Sequence, residues 1–310
     1  MNNKGVRAVP IHFVGDSNTL VFHDLLLDSL PGETQPTVVR TSYCGSLQAA
    51  QFMSNDGALD PSVLYALLSS LVLVGNADSW GHQTRDRLLQ DFSGRIDVES
   101  EDWGGERKAS LLRPIVVFCI GSADCALILN KLGTKADFEV KSDRVNGLPS
   151  RKPEDTVQVP IALVRELIER AFAPLFRGLE AIRDSGVNDI FLHDLQPPSL
   201  DMEDFATIVG PYPVDLRYKL VIAINERLAR FCRAADVAFI DLWDDVTGPD
   251  GLLDERFSLD YGHLNRRAAA ITLKKIFSNL SNRRARQVDR VRQGAASDEI
   301  SLKSSSSSHG

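Results

Sequence analysis

Short runs of apolar and β-branched residues alternate along the chain with longer segments in which apolar residues recur at helical spacing. This alternation is typical of a parallel sheet that is covered by helices on both faces. It predicts a three-layer α/β/α fold around a doubly wound, mostly parallel, five-stranded sheet. The predicted strands lie within residues 8–15, 37–43, 113–124, 188–199 and 237–246. The predicted helices lie near residues 19–30, 46–53, 61–73, 125–132, 160–185, 215–234 and 264–280.

Two stretches do not follow the alternation. Residues 78–113 are polar and contain tryptophan, and residues 137–157 are charged and contain a glycine and two prolines. Both are interpreted as insertions, which either shape a substrate site or are plain surface excursions. We otherwise expect residues 1–282 to form a single domain. Residues 283–310 are first basic and then rich in serine, so they predict a disordered tail that cannot contribute to a core.

Composition excludes several classes of protein. A net charge of −7 and an isoelectric point near 5.4 argue against a protein that binds nucleic acid by neutralising its phosphates. The most apolar run, residues 64–75, is too short to span a bilayer, and the first residues lack the apolar core of a signal peptide. A cytoplasmic protein is therefore expected. The four cysteines form no Cys-x-x-Cys pair, so we expect neither a zinc site nor any other metal centre.

The turn after the first predicted strand contains the strongest candidate for chemistry. The strand is followed by the tetrapeptide Gly15-Asp16-Ser17-Asn18. Ser17 would then lie at the carboxyl end of a parallel strand, the edge at which open α/β sheets bind their ligands. A serine hydroxyl is a weak nucleophile, so this interpretation requires a general base elsewhere in the chain.

Among the six histidines, His263 has the most informative neighbours. It ends the sequence Asp-Tyr-Gly-His, in which Asp260 precedes it by three residues. A carboxylate at that spacing can fix the imidazole tautomer and stabilise the imidazolium that forms during catalysis. By itself the motif is short, and Asp260 could equally cap the helix that follows.

The two motifs together resemble those of the SGNH/GDSL hydrolase superfamily, whose serine block lies after the first strand and whose Asp-x-x-His block precedes the last helix. The resemblance covers roughly residues 8–280 and implies a flavodoxin-like fold with a catalytic triad of Ser17, His263 and Asp260. It also implies an oxyanion hole formed by the backbone N–H groups of Ser17 and Gly45. Asp16 and Asn18, beside the serine, are expected to support the site or to touch the substrate.

The third block of the family departs from its usual Gly-x-Asn-Asp pattern. The matching residues are Gly121-Ser122-Ala123-Asp124, so alanine replaces the asparagine that donates to the oxyanion in the family. The stretch is similar to a variant found in SGNH-like proteins associated with bacterial polysaccharide synthesis. Asp124 is expected to cap its own helix or to support the site. His193, which ends the fourth predicted strand, is expected to contact substrate or to support the site.

Three classes of function follow from these residues. The first is a serine esterase or O-acyltransferase that acts on an ester, such as an acylated carbohydrate, and needs no cofactor. The second is a catalytically impaired SGNH-like module that binds a glycan or a partner protein, which the missing asparagine favours. The third, a nucleotide binder with the same type of sheet, ranks last because the chain has neither Gly-x-Gly-x-x-Gly nor a phosphate-binding loop.

Overall fold

The computed structural model describes residues 9–22, 26–27, 37–45, 47–73, 115–145, 151–199, 210–260 and 262–283. The strands are β1 (Val9–Gly15), β2 (Leu26–Leu27), β3 (Thr37–Tyr43), β4 (Ile115–Cys119), β5 (Ala136–Asp137), β6 (Val157–Gln158), β7 (Asp189–His193) and β8 (Ala238–Ile240). The helices are α1 (Pro61–Leu73), α2 (Ser122–Leu132), α3 (Ile161–Asp184), α4 (Val214–Ala235), α5 (Trp243–Val246) and α6 (266–283).

The main sheet has the strand order β2-β3-β1-β4-β7-β8. Its pairings from β3 to β8 are all parallel, and only the two-residue strand β2 runs antiparallel, at the edge beside β3. The prediction of a mostly parallel five-stranded sheet is therefore confirmed, with β2 as a short addition. Because the chain passes from β1 to β3 on one side and then to β4 on the other, the order reverses at β1, where open α/β sheets place their ligands.

Each central strand buries both of its faces, which explains its nearly continuous apolar sequence. In β4, Val116 and Phe118 pack in one core cluster, whereas Ile115 and Val117 pack in the other. Helices α1 to α4 contribute to the first cluster, and α6 contributes to the second. The sheet is thus covered on both faces, and the three-layer prediction is confirmed.

Two of the predicted helices are wrong. Within 19–30, the structure has a 3₁₀-helix at Ser17–Phe22, and Leu26–Leu27 form the edge strand β2 instead of a helical turn. Within 46–53, only a three-residue 3₁₀-helix at Ala49–Gln51 is formed. In both places the apolar spacing allows a helix, but packing and strand pairing give another conformation.

Of the two predicted insertions, only that at residues 137–157 lies partly within the described residues. Residues 78–113 lie outside the described residues, and so does the predicted tail from residue 284 onward. The described part of residues 137–157 contains 3₁₀-turns, and its ends pair as the small parallel sheet of β5 and β6. In the described part of the chain, no helix is long and apolar enough to cross a membrane.

Candidate active site

Gly15 and Asp16, the two residues before Ser17, fix the serine turn against the end of β4. A Cβ atom on Gly15 would lie 2.0 Å from the carbonyl oxygen of Cys119, so only glycine fits where β1 passes the end of β4. Asp16 N–H donates to the same carbonyl oxygen over 3.0 Å. Ser17 follows as the first residue of the 3₁₀-helix and remains partly exposed. The turn therefore holds the serine at the carboxyl edge of the sheet.

Asp16 acts as a hydrogen-bond acceptor for the turn and for the neighbouring loop. Its side chain is buried, and Oδ1 accepts hydrogen bonds from the backbone N–H and the side-chain amide of Asn18, both over 3.0 Å. Its Oδ2 accepts from Ser122 Oγ over 2.7 Å. Asp16 and Asn18 thus support the position of Ser17, and they link the serine turn to the start of α2.

His263 and Asp260 are brought together as the Asp-x-x-His spacing predicts. The two carboxylate oxygens of Asp260 lie 2.9 Å and 2.8 Å from His263 Nδ1. Burial acts to raise the pKa of Asp260, but hydrogen bonds from Gly262 N–H and from His263 outweigh it and lower the pKa below its ordinary value. The carboxylate therefore stays ionised and can hold Nδ1 protonated, which leaves Nε2 as the basic nitrogen.

The alternative role of Asp260, as a cap of the last helix, is filled by another residue. Asn265 Oδ1 accepts a hydrogen bond from Arg267 N–H over 2.9 Å, at the start of α6. Asp260 instead accepts from Gly262 N–H over 2.8 Å within its own loop. Asp260 is therefore available to orient His263.

Ser17 and His263 lie at the same edge of the sheet without a direct hydrogen bond between them, among the residues that the structure describes. Asn18, next to the serine, lines one cleft together with Gly262 and a smaller cavity together with Leu264. Gly262 and Leu264 flank His263, so residues next to Ser17 and residues next to His263 line the same cleft and the same small cavity. Hydrogen bonds at catalytic sites are often formed only when the substrate is bound.

Gly45 lies at the same edge, after β3. Cys44 N–H donates to Gly15 O over 2.8 Å, which holds the end of β3 against the serine turn. Gly45 has a φ of +65°, a conformation that favours glycine, and no atom lies within 4 Å of where its Cβ would be. Its backbone N–H remains the candidate second donor to an oxyanion.

Asp124 supports the loop that follows Gly45 and does not cap its own helix with its side chain. No side-chain hydrogen bond caps the start of α2, among the residues described. The carboxylate accepts instead from Ala49 N–H over 2.7 Å and from Ala50 N–H over 3.5 Å. Because the side chain is buried, desolvation raises its pKa to about 6. The prediction that the Asp124 side chain caps α2 is therefore wrong, and its contacts agree with a supporting role.

His193 is buried, and both of its ring nitrogens have partners in the framework. Nδ1 lies 2.9 Å from the backbone carbonyl oxygen of Asp194 and 3.1 Å from its Oδ1, and Nε2 lies 3.2 Å from Thr272 Oγ1 on α6. Burial acts to lower the pKa of His193, but the adjacent carboxylate of Asp194 outweighs it, so the pKa is raised. His193 borders the smaller cavity. Its contacts favour the supporting role over substrate contact.

A cleft of about 100 Å³ lies between the serine turn, the start of α2, the loop after β7 and α4. Among its lining residues, Asn18 belongs to the serine motif and Cys125 ends the Gly-Ser-Ala-Asp-Cys stretch of the third block, whereas Gln196, Arg217 and Val221 were not predicted from the sequence. No motif marks these three residues, because helix packing and the path of one loop bring them to the cleft. In the described part of the chain, no cluster of three or more His, Cys, Asp or Glu side chains is placed to hold a metal ion.

Comparison with known proteins gives similarity only at the level of solved structures. No protein-family model matches the sequence, and neither does any curated protein. A candidate acylhydrolase from Bacteroides fragilis NCTC 9343 is 11% identical, with 91% of this chain and 92% of that chain covered and a TM-score of 0.42. A candidate platelet activating factor from Streptococcus pneumonia is 15% identical, with 88% and 85% covered and a TM-score of 0.43.

A GDSL-like lipase from Bacteroides thetaiotaomicron VPI-5482 is 10% identical, with 88% of each chain covered and a TM-score of 0.41. At such identities and scores, the chemistry of the site has to be argued from its own residues. The chain's own structure has the serine turn after the first strand of a mostly parallel sheet and the Asp-x-x-His loop before the last helix.

Proposed function

We propose that the chain is a serine hydrolase acting on ester bonds, or a related O-acyltransferase, with an acylated carbohydrate as a substrate candidate. The observation that carries the proposal is the Asp260–His263 pair. The carboxylate oxygens of Asp260 lie 2.8 Å and 2.9 Å from His263 Nδ1. The loop that holds the pair and the serine turn both line one cleft. A histidine oriented in this way is the general base that a serine nucleophile needs.

The reaction follows from the roles of these groups. Ser17 Oγ attacks the ester carbonyl carbon as His263 Nε2 takes the hydroxyl proton, and Asp260 stabilises the imidazolium that forms. The backbone N–H groups of Ser17 and Gly45 donate to the oxyanion. The tetrahedral intermediate then collapses, the C–O bond to the alcohol breaks, and the alcohol leaves with the proton from His263.

The acyl group that remains on Ser17 is released by the same steps in reverse. His263 takes a proton from the acceptor, whose oxygen attacks the acyl carbonyl, and returns that proton to Ser17 Oγ as the serine leaves. With water as the acceptor the products are a carboxylic acid and free enzyme. With a sugar hydroxyl as the acceptor the product is a new ester. Neither course requires a metal or an organic cofactor.

The proposal is tested by the hydrolysis of p-nitrophenyl acetate. We expect Ser17→Ala and His263→Ala each to lower kcat at least a thousandfold, as the loss of one member of a triad does. Ser278→Ala, at an exposed position near the C-terminal end of α6, is the matched control and should retain the wild-type rate. Wild-type activity that persists in Ser17→Ala would contradict the proposal.

A second candidate is favoured by one observation. Ala123 lacks the side-chain donor of the usual third block, and the loss of one such donor in a protease of a different fold costs about two to three orders of magnitude in kcat. A non-catalytic module that binds a glycan or a partner protein would tolerate this loss. Glycan binding that is unchanged in Ser17→Ala and His263→Ala, in a protein without esterase activity, would favour this candidate.

A further inference from the structure

The small cavity lies between the serine turn, the end of β4 and the end of β7. The turn contributes Asn18 to its lining, and the loop before α6 contributes Leu264, the residue after the candidate base. Four side chains in the lining carry nitrogen or oxygen atoms, namely those of Asn18, His193, Asp194 and Gln196. The cavity therefore connects the residue beside the candidate nucleophile with a buried histidine and a buried aspartate.

The side chain of Asn18 bonds to the serine turn through its nitrogen and has its oxygen left over. Its Nδ2 and its backbone N–H both donate to Asp16 Oδ1, each over 3.0 Å. Its Oδ1 is buried, and no group in the described part of the chain donates a hydrogen bond to it. Most buried polar atoms of native proteins have a partner, so this oxygen calls for a donor.

Asp194 presents a second buried oxygen of the same kind. Its Oδ2 accepts from Leu242 N–H over 2.8 Å. Its Oδ1 lies 3.1 Å from His193 Nδ1, but that N–H donates to the nearer carbonyl oxygen of Asp194, over 2.9 Å. Within the described ranges, Oδ1 likewise accepts no hydrogen bond. The other ring nitrogen of His193 is engaged with Thr272 on α6, so the ring is held in place.

The two oxygens require a donor that the cavity can contain. An amide oxygen and an ionised carboxylate oxygen are both acceptors, so they cannot bond to each other. Measured for the centre of a water-sized sphere, the cavity has a volume of about 10 Å³, about the room that one water molecule needs. A water molecule can donate two hydrogen bonds, and buried waters typically bond to polar groups that are otherwise unsatisfied.

We propose that one internal water molecule occupies the small cavity and donates to Asn18 Oδ1 and Asp194 Oδ1. Asp194 is then a positioning residue for the reaction. It holds the Asn18 side chain through the water, and Asn18 in turn bonds to Asp16, the residue before Ser17. The water site follows from the cavity alone, whereas the effect of Asp194 on the rate rests on the proposed function.

A double-mutant cycle tests the link between Asp194 and Asn18 through kcat and KM for p-nitrophenyl acetate. Asp194→Val removes both carboxylate oxygens and should lower kcat at least fivefold with KM changed less than threefold, because it loosens the turn without touching the substrate. Residues that act through one network are not additive. The variant with both Asn18→Ala and Asp194→Val should therefore lose no more than the more damaging single variant.

The matched control is Asp215→Val, which makes the same substitution at another buried aspartate outside the cavity. It should leave kcat within twofold, even though it removes the ion pair with Arg151. Losses that multiply in the variant with both Asn18→Ala and Asp194→Val would overturn the link, as would an equal loss of kcat in Asp215→Val and Asp194→Val.

A crystal structure of the wild-type full chain tests the water site without any turnover. We expect one water molecule at hydrogen-bond distance, about 2.7–3.2 Å, from both Asn18 Oδ1 and Asp194 Oδ1. A metal cation in its place, a direct hydrogen bond between the two side chains, or a dry cavity would overturn the inference. An ordered water in a protein that cleaves no ester would instead refute the proposed function and leave the water site standing.

Discussion

Asp260 is the residue whose charge matters most to the proposed chemistry, because it contacts His263 Nδ1 and its pKa is lowered. Asp260→Asn keeps the size of the side chain but removes the charge that stabilises the imidazolium and selects the tautomer. We expect kcat for p-nitrophenyl acetate to fall by about three to four orders of magnitude, with KM changed less than threefold. Steady-state kinetics measure both, and a loss of less than tenfold in kcat would refute the assigned role.

Ala123 is the residue at which the site departs from the pattern that it resembles. Ala123→Asn introduces the side-chain amide that the usual third block carries, and we expect it to raise kcat at least tenfold because such donors act mainly on the transition state. Ala123→Leu provides similar bulk without a donor and serves as the control. An equal effect of both variants on kcat would show that the amide does not reach the oxyanion.

Asp124 makes the protein less stable as pH rises from about 4 to about 6, whereas carboxylates with a lowered pKa have the opposite effect. Desolvation raises its pKa from 3.8 to about 6, so the folded state binds the proton more tightly than the unfolded state does. Its contribution to stability is therefore fully present below about pH 4 and is lost as pH rises to about 6. The loss amounts to ~3 kcal/mol, since one pKa unit corresponds to ~1.4 kcal/mol.

Urea unfolding of wild type and Asp124→Asn at pH 4, 5, 6 and 7 isolates this contribution. The asparagine variant keeps an oxygen acceptor for Ala49 N–H but cannot ionise, so its stability relative to wild type should increase across this range. A difference between the two proteins that is constant with pH would exclude a raised pKa for Asp124. Asp124→Ala leaves the buried Ala49 N–H without its acceptor and should cost about 1–3 kcal/mol relative to Asp124→Asn, a difference that does not vary with pH because neither side chain ionises.

At the scale of elements, the loop after β7 forms one side of the candidate site, and the buried side chain of Asn225 on α4 anchors it. Asn225 Oδ1 accepts from Leu195 N–H over 2.8 Å, and its Nδ2 donates to Leu195 O over 2.7 Å. Both contacts are buried. The loop therefore keeps Leu195 and Gln196 in place beside the cleft.

Asn225→Ala leaves two buried backbone groups without their partners, so we expect a loss of about 3 kcal/mol in the free energy of unfolding. Because the cleft wall would then be less ordered, kcat/KM should fall as well. Denaturant titration and steady-state kinetics measure the two effects. The matched control is Asn279→Ala, whose side chain bonds within α6 and should cost less than about 1 kcal/mol.

The sequence pattern predicted those helices and strands whose conformation is determined by the residues within the element itself. The apolar runs of β1 and β4 and the long amphipathic pattern of α3 and α4 are local signals, and they are found within a few residues of the expected bounds. The edge strand β2 was not predicted, because Leu26 and Leu27 fit a helical pattern and take their conformation from pairing with β3. Pairing between distant segments leaves no signal in a local pattern.

At the scale of the whole molecule, the reversal of strand order at β1 brings distant motifs to one edge. The serine turn, Gly45 and the start of α2 meet there because β3 and β4 flank β1 on its two sides. His263 reaches this edge from a loop before α6. The family resemblance predicted that these segments lie at one edge of the sheet. It did not predict that α4 lines the cleft, because helix packing places α4 there and no sequence motif encodes it.

Labelling with a fluorophosphonate tests the central claim, an activated Ser17, most directly. The reagent reacts with serines whose hydroxyl is deprotonated by a general base, and peptide mass spectrometry locates the adduct. For wild-type protein that circular dichroism shows to be folded, we predict a single adduct on Ser17, none in Ser17→Ala, and labelling at least a hundredfold slower in His263→Ala. Folded wild-type protein that takes up no label, or an adduct that persists in Ser17→Ala, would contradict the account.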